Sequence, residues 1–240
     1  MNLGRAWQLL LAEWQSGRLR ATIIFLYLSW APLCWKFFGS HEFCLRHCPA
    51  PDGFISDPQL LAALYRFGSC FVLFGLVPMG IVKLLLRQRL ADYGLTLGHW
   101  KRTLAWTVAL LPLFLLLSCH AARNPVFQAE YPINKHAAEM FPLHAASYLA
   151  FYIGWEFFFR GFLLFGLAGR IGAVNAVLLQ AAVSAMMHIG DPAQEAFGAV
   201  LGGLIWGTVA LHTRSLLPAL LQHAAMGIAV DYLICFHAQV

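Results

Sequence analysis

Charge is scarce in this chain. Of its 240 residues only 11% are Asp, Glu, Lys or Arg, while 60% are hydrophobic, and the mean hydropathy is +0.66. Soluble domains carry about 25% charged residues, so a water-soluble globule of this make-up would lack the polar residues to cover its surface, which excludes a soluble enzyme. Disorder is excluded too, since this much apolar and aromatic content collapses in water. No basic tract with interleaved aromatics is present. The net charge of +5 comes from cations lying singly or in pairs between apolar runs, where orientation signals belong, and no nucleic-acid partner is expected. A disulfide scaffold is also lacking: the six cysteines (Cys34, Cys44, Cys48, Cys70, Cys119 and Cys235) are scattered. Only Cys44 and Cys48 are near neighbours, as free thiols or, in an oxidising loop, as a pair. Internal repeats and low-complexity tracts are missing. So is the His-Glu-x-x-His zinc motif, because His41-Glu42 is followed by Leu45 at the place of the second histidine.

What remains is apolar runs. A helix needs roughly 20 apolar residues to cross a bilayer, so the chain holds about seven to eight crossings with little left over. The expected fold is all-α, a polytopic transmembrane helical bundle forming a single integral membrane domain over residues 1–240. The first 20 residues are mixed and read as an interfacial helix, or as an eighth crossing if they lie deeper. A cleavable signal peptide would start its apolar core sooner and end in small residues, so the first span, about Ala21–Phe38, is expected to stay as an anchor. The other expected spans are Leu60–Leu86, Thr103–Cys119, Leu143–Ala168, Gly172–His188, Gln194–Leu211 and Leu216–Phe236. Gly39–Pro58 is a polar loop with His41, Glu42, Asp52 and Asp57. The connector Arg87–Arg102 sets Arg87, Arg89, Lys101 and Arg102 against Asp92 alone and reads as cytoplasmic, which places the N-terminus inside a cell (plasma) membrane. Its Asp92-Tyr93-Gly94-Leu95 stretch is a turn.

Ionisable groups inside spans cost at least about 2.5 kcal/mol each, and those that persist usually face a polar interior. Here they gather in the last four spans. Glu156 and Arg160 stand at i,i+4 on one helical face, either as an ion pair that merely neutralises both charges or as part of a site. His188 ends the fifth expected span, with Asp191-Pro192 just beyond it as a helix end. His223 lies on the seventh with Gly227 and Asp231 on the same face. Each histidine alone suits a hydrogen-bonded packing role. Together, a carboxylate, an arginine and two histidines from three helices make a site between packed helices. At 1.5 Å rise per residue, contact between a midplane Glu156 and an outer His188 requires the fifth span to be short, tilted or partly submerged. His120, His136, His144, His212 and His237 fall near span ends and read as interfacial. Gly198, Gly202, Gly203 and Gly207 give small-xxx-small spacings for close helix packing.

The run Glu156-Phe-Phe-Phe-Arg160-Gly161, then His188 at a helix end, then Thr213-Arg-Ser215-Leu-Leu-Pro218 leading to His223, resembles the CPBP family of intramembrane glutamic proteases. That family includes type II CAAX prenyl endopeptidases and bacteriocin-immunity proteins. The resemblance covers about residues 143–236 as a catalytic core. It implies an intramembrane endopeptidase acting on a membrane-associated or lipidated protein or peptide within the lipid bilayer, with Glu156, Arg160, His188 and His223 as catalytic residues. In the family a first Glu and a first His activate water while a second His and an Asn stabilise the oxyanion. This chain has Trp155 at the first Glu, Ser184 at a motif Phe and Gly227 at the Asn. Either Glu156 with His188 supplies the base, or His188 is the base and Glu156 orients it, or proteolysis is lost and the fold serves as an immunity factor or chaperone-like partner. On the first readings Arg160 orients Glu156 and His223 stabilises the oxyanion. A Trp155→Glu replacement that gains cleavage would mark a degenerate protease. No cofactor is expected, although Glu156, His188 and His223 are chemically suitable zinc ligands. A transporter is disfavoured because no matched pair of interrupted helices suggests inverted repeats.

Overall fold

The computed structural model describes residues 4, 5, 7, 8, 19–50, 53 and 55–237. The expected N-terminal interfacial helix falls mostly outside the described residues, as does Asp52. In hydrocarbon every backbone N–H and C=O must be satisfied within the segment, so apolar runs become helices. In chain order these are α1 (Leu19–Phe38), α2 (His41–His47), α3 (Pro58–Leu85), α4 (Trp100–Ala122), α5 (Pro125–Glu130), α6 (Ala137–Ile171), α7 (Ala173–Met186), α8 (Ala193–Thr213) and α9 (Leu217–His237). No strand occurs among the described residues. The chain is an all-α polytopic membrane protein: α1, α3, α4, α6, α8 and α9 are long and apolar enough to cross a bilayer.

The fifth expected span is the exception. Helix α7 has 14 residues, about 21 Å of rise against the roughly 30 Å of hydrocarbon. Gly172, at φ 85°, breaks the chain from α6 before it, and Gly190, at φ 106°, turns it toward α8 after it. His188 therefore sits in a loop beyond a short helix.

Helix α6 is the centre. Its apolar window is 78% buried against 11% for α4, so α6 is enclosed by protein while α4 turns most of its surface outward. A continuous aromatic-rich core runs from Ile24 on α1 through Phe74 on α3 and Phe157, Phe158, Phe159 and Phe162 on α6 to Ala224 on α9. Lipid competes for apolar contacts, so association rests on close packing and small residues. A side chain at Gly154 would meet the α3 backbone at Cys70 and Phe71 at 2.8 Å, and one at Gly203 would meet Ala181 Cα at 2.8 Å. Gln180 Nε2 fastens this α7–α8 seam by donating to the Gly203 carbonyl at 2.7 Å. Of the four expected packing glycines, Gly203 and Gly207 face α7, Gly202 faces Trp206 of its own helix, and Gly198 faces open space.

The basic connector performs a positioning job. A short 3-10 turn, Leu90–Tyr93, ends at Gly94 with φ 81°, matching the expected turn. Gly94 O accepts from Leu216 N at 3.0 Å and His99 N donates to Thr213 O at 2.8 Å. Arg214 at φ 58° reverses the chain, and Ser215 Oγ accepts from Leu217 N at 3.2 Å to start α9. Gln222 then locks α9 between α4 and α8, donating to Trp106 O at 2.8 Å and accepting from Trp206 Nε1 at 2.9 Å. The residue after Gln222 is His223.

Candidate functional site

Glu156 ends the regular α-helical part of α6, and the next nine residues, Phe157–Phe165, form a wider π-helical stretch that contains Arg160. Such insertions recur at functional sites. Arg160 Nη1 donates to Glu156 Oε1 at 3.2 Å, and both side chains are fully buried. His223 Nδ1 lies 2.7 Å from the same oxygen. The guanidinium also sits 5.4 Å from the Trp206 ring centre. The His223 ring is held between Trp206, 4.5 Å away and stacked, and Tyr152, 4.6 Å away.

His188 belongs to a different cluster. Its Nδ1 is 3.1 Å from Asp191 Oδ2 and 3.2 Å from Glu195 Oε1, and Trp155 packs edge-on to its ring at 5.6 Å. Tyr131 donates its hydroxyl to the Glu195 carboxylate at 2.8 Å. Burial and the neighbouring Glu195 carboxylate keep that hydroxyl well above its ordinary value, so it remains a donor. Burial alone would lower the His188 pKa, but hydrogen bonds to Asp191 and Glu195 outweigh it and the ring is pushed up to about 9.

The two clusters face one cavity of about 50 Å³, lined among others by Tyr131, Tyr152, His188, Asp191, Glu195 and His223. That is room for water, and the walls offer the several polar partners a buried water requires. Glu156 and Arg160 stand behind His223, outside the lining. The expected partnership of Glu156 with His188 is therefore corrected: the Glu156 carboxylate is bonded to Arg160 and His223, because α9 lies against the Glu156 face of α6. Trp155, one residue earlier and turned about 100° around the helix, packs against His188 and lines the cavity with Tyr148, Phe151 and Tyr152 of the same helix.

Two of the three motif departures, Trp155 and Gly227, sit in tightly packed surroundings. At position 155 the indole packs among Trp35, Phe151 and Phe159, and no acceptor for its Nε1 is found among the described residues. At Gly227 an added Cβ would overlap the Tyr152 hydroxyl. Glu195, Tyr131 and Tyr152 were missed by sequence reasoning. The signal available was the i, i+3, i+7 spacing of His188, Asp191 and Glu195, which also reads as a helix start. His144, expected at the interface, is instead buried and bonded to Asp231 at 2.7 Å. Helix α6 is already in the protein interior at that level, and a carboxylate there needs a partner. Among the described residues the ligand atoms close enough to share a cation are those of His188, Asp191 and Glu195, a different set from Glu156, His188 and His223. All six cysteines are free.

No curated protein and no solved structure matches the chain. Residues 137–229, which carry Glu156, Arg160, His188 and His223, match the family model described as Type II CAAX prenyl endopeptidase Rce1-like. Over that segment the chain is similar to this family of membrane proteases.

Proposed function

We propose that the protein is an intramembrane endopeptidase that hydrolyses a peptide bond of a membrane-associated or lipidated protein or peptide, at the cavity shared by His188 and His223. The observation that carries this reading is the cavity itself: histidines from two separate elements line one water-sized space within the segment that matches a protease family. Peptide hydrolysis needs a group to take a proton from water and donors for the carbonyl oxygen as it gains charge. His188 and His223 are the reacting groups, with Glu156 and Arg160 holding His223 from behind. The reaction uses no metal or cofactor. The whole chain, 1–240, acts as one membrane domain, with 143–236 as its core. It lies in the plasma membrane with the basic connector 87–102 and the N-terminus on the cytoplasmic side.

The test is cleavage of a fluorogenic farnesylated peptide by the purified chain in nanodiscs, with the products read by mass spectrometry. Wild type gives new termini, and His188→Ala and His223→Ala, folded and at equal concentration, give none. Trp155 in place of a carboxylate favours a second reading, a non-catalytic membrane partner. That reading stands if termini across a native membrane proteome are unchanged by deletion of the protein while a His188→Ala copy restores its phenotype.

A further inference from the structure

An imidazole is defined by what its two nitrogens face. His223 Nδ1 meets Glu156 Oε1 at 2.7 Å, and the same oxygen accepts from Arg160 at 3.2 Å. An oxygen that takes a guanidinium N–H is the acceptor in both bonds, so the proton of the shorter bond belongs to His223 Nδ1. In the neutral ring this leaves Nε2 with its lone pair. Glu156 is outside the cavity lining and the His223 ring is part of it, so the nitrogen left for the cavity is a proton acceptor.

His188 is the opposite case. Two carboxylates, Asp191 at 3.1 Å and Glu195 at 3.2 Å, converge on one nitrogen, and two negative groups beside an imidazole favour its charged form. Its pKa of about 9 agrees. The charged ring carries a proton on Nε2 as well, and is a donor only. The other charged or titratable groups at this cavity leave that contrast in place. Asp231 is bonded to His144 and Tyr131 to Glu195, while Arg66, Tyr148 and Tyr152, the last against the His223 ring, complete the set. On the outer side of the His188 loop, Lys36 Nζ bonds the Ile189 carbonyl at 3.1 Å.

We infer that the two histidines divide the reaction in the reverse of the order their motif positions imply: His223, oriented by Glu156, is the general base, and His188, charged between Asp191 and Glu195, is the donor to the carbonyl oxygen. This rests on the endopeptidase reading above. His223 Nε2 takes a proton from water as the water oxygen bonds to the carbonyl carbon. The carbonyl π electrons move to oxygen, where His188 Nε2–H receives the charge. As the tetrahedral intermediate collapses, the C–N bond breaks and the departing nitrogen takes the proton back from His223. A carboxylic acid and an amine result, and both histidines return to their starting states. Asp191, Glu195 and Glu156 are positioning residues. The scheme explains how a chain with tryptophan at position 155 still activates water.

The experiment has two arms. In the first, the pH dependence of farnesylated-peptide cleavage is measured for wild type, Asp191→Asn, Glu195→Gln and Glu156→Gln. Loss of either carboxylate beside His188 is expected to move the alkaline limb to lower pH by about one unit and leave the acidic limb in place. Glu156→Gln moves the acidic limb and lowers the maximum by about 100-fold or more. If Asp191→Asn or Glu195→Gln moves the acidic limb instead, the assignment is overturned. In the second arm, the ¹⁵N side-chain shifts of labelled histidine are recorded on the unliganded full chain in nanodiscs, which needs no turnover. At neutral pH His223 is expected as the neutral Nδ1–H form and His188 as doubly protonated, each signal identified by its Gln variant. The reverse pattern overturns the proposal. A wild type that leaves the peptide intact counts against the endopeptidase reading, while the spectra judge the histidine assignment by themselves.

Discussion

The hydroxyl of Tyr152 fills the space that a side chain at Gly227 would occupy. The two residues lie on α6 and α9, one turn from the site on each, and the contact fixes how far α9 can approach. Tyr152 also holds the His223 ring at 4.6 Å.

Adding a side chain at Gly227 therefore pushes α9 from α6. Gly227→Ala is expected to lower stability by about 1–3 kcal/mol, the usual cost of overpacking a filled interior. Thermal unfolding in detergent checks this. Paired with Tyr152→Ala, the two changes should be non-additive by at least about 0.5 kcal/mol, as expected of side chains that share one space.

Restoring a carboxylate at position 155 is expected to damage the protein rather than revive a motif. Trp155 is buried with its ring 5.4 Å from Phe151 and 4.8 Å from Phe159. Trp155→Glu removes an aromatic side chain, a change worth about 3–5 kcal/mol in cores, and adds a third carboxylate beside the His188 cluster. The measurement is folded yield and thermal midpoint beside wild type. A variant that is as stable as wild type and cleaves faster would refute this account of position 155.

Stability should depend on pH through His188. Its pKa rises from 6.5 to about 9 on folding, so the contribution is fully present below 6.5 and is lost as pH climbs through 9. The thermal midpoint is expected to fall between about pH 7 and 10 in wild type and to fall less in His188→Gln. Equal slopes in the two proteins would contradict the buried contacts with Asp191 and Glu195.

The α7–α8 seam makes a paired prediction. Gly203 lies against Ala181 with no room for a Cβ, whereas Gly198 faces open space. Gly203→Ala is expected to cost about 1–3 kcal/mol and to reduce cleavage, because α7 leads into the His188 loop and the first turn of α8 carries Glu195. Gly198→Ala should stay within about 0.5 kcal/mol of wild type in the same detergent assay.

Cleavage that depends on protein groups alone should survive chelation. Incubation with EDTA is expected to leave the rate unchanged, although His188, Asp191 and Glu195 place three ligand atoms within 4.8 Å of one another. Loss of activity restored by zinc would transfer the role of these residues to holding a metal.

The membrane class, the all-α bundle and most span positions were legible in the chain, because bilayer thickness converts apolar length directly into helices and that relation is local. The pairing of Glu156 with Arg160 was legible for the same reason, since i,i+4 is a property of one helix. The coincidence of His188 and His223 was suggested by residue type, through the resemblance of their motifs. The partners of each were decided by tertiary structure alone. Glu195 approaches His188 from the next helix through a glycine-permitted turn, Tyr152 enters the space left by Gly227, and Glu156 turns to His223. These contacts depend on the rotation and depth of helices against one another, which are set by packing over the whole core and are not encoded in any single stretch of sequence.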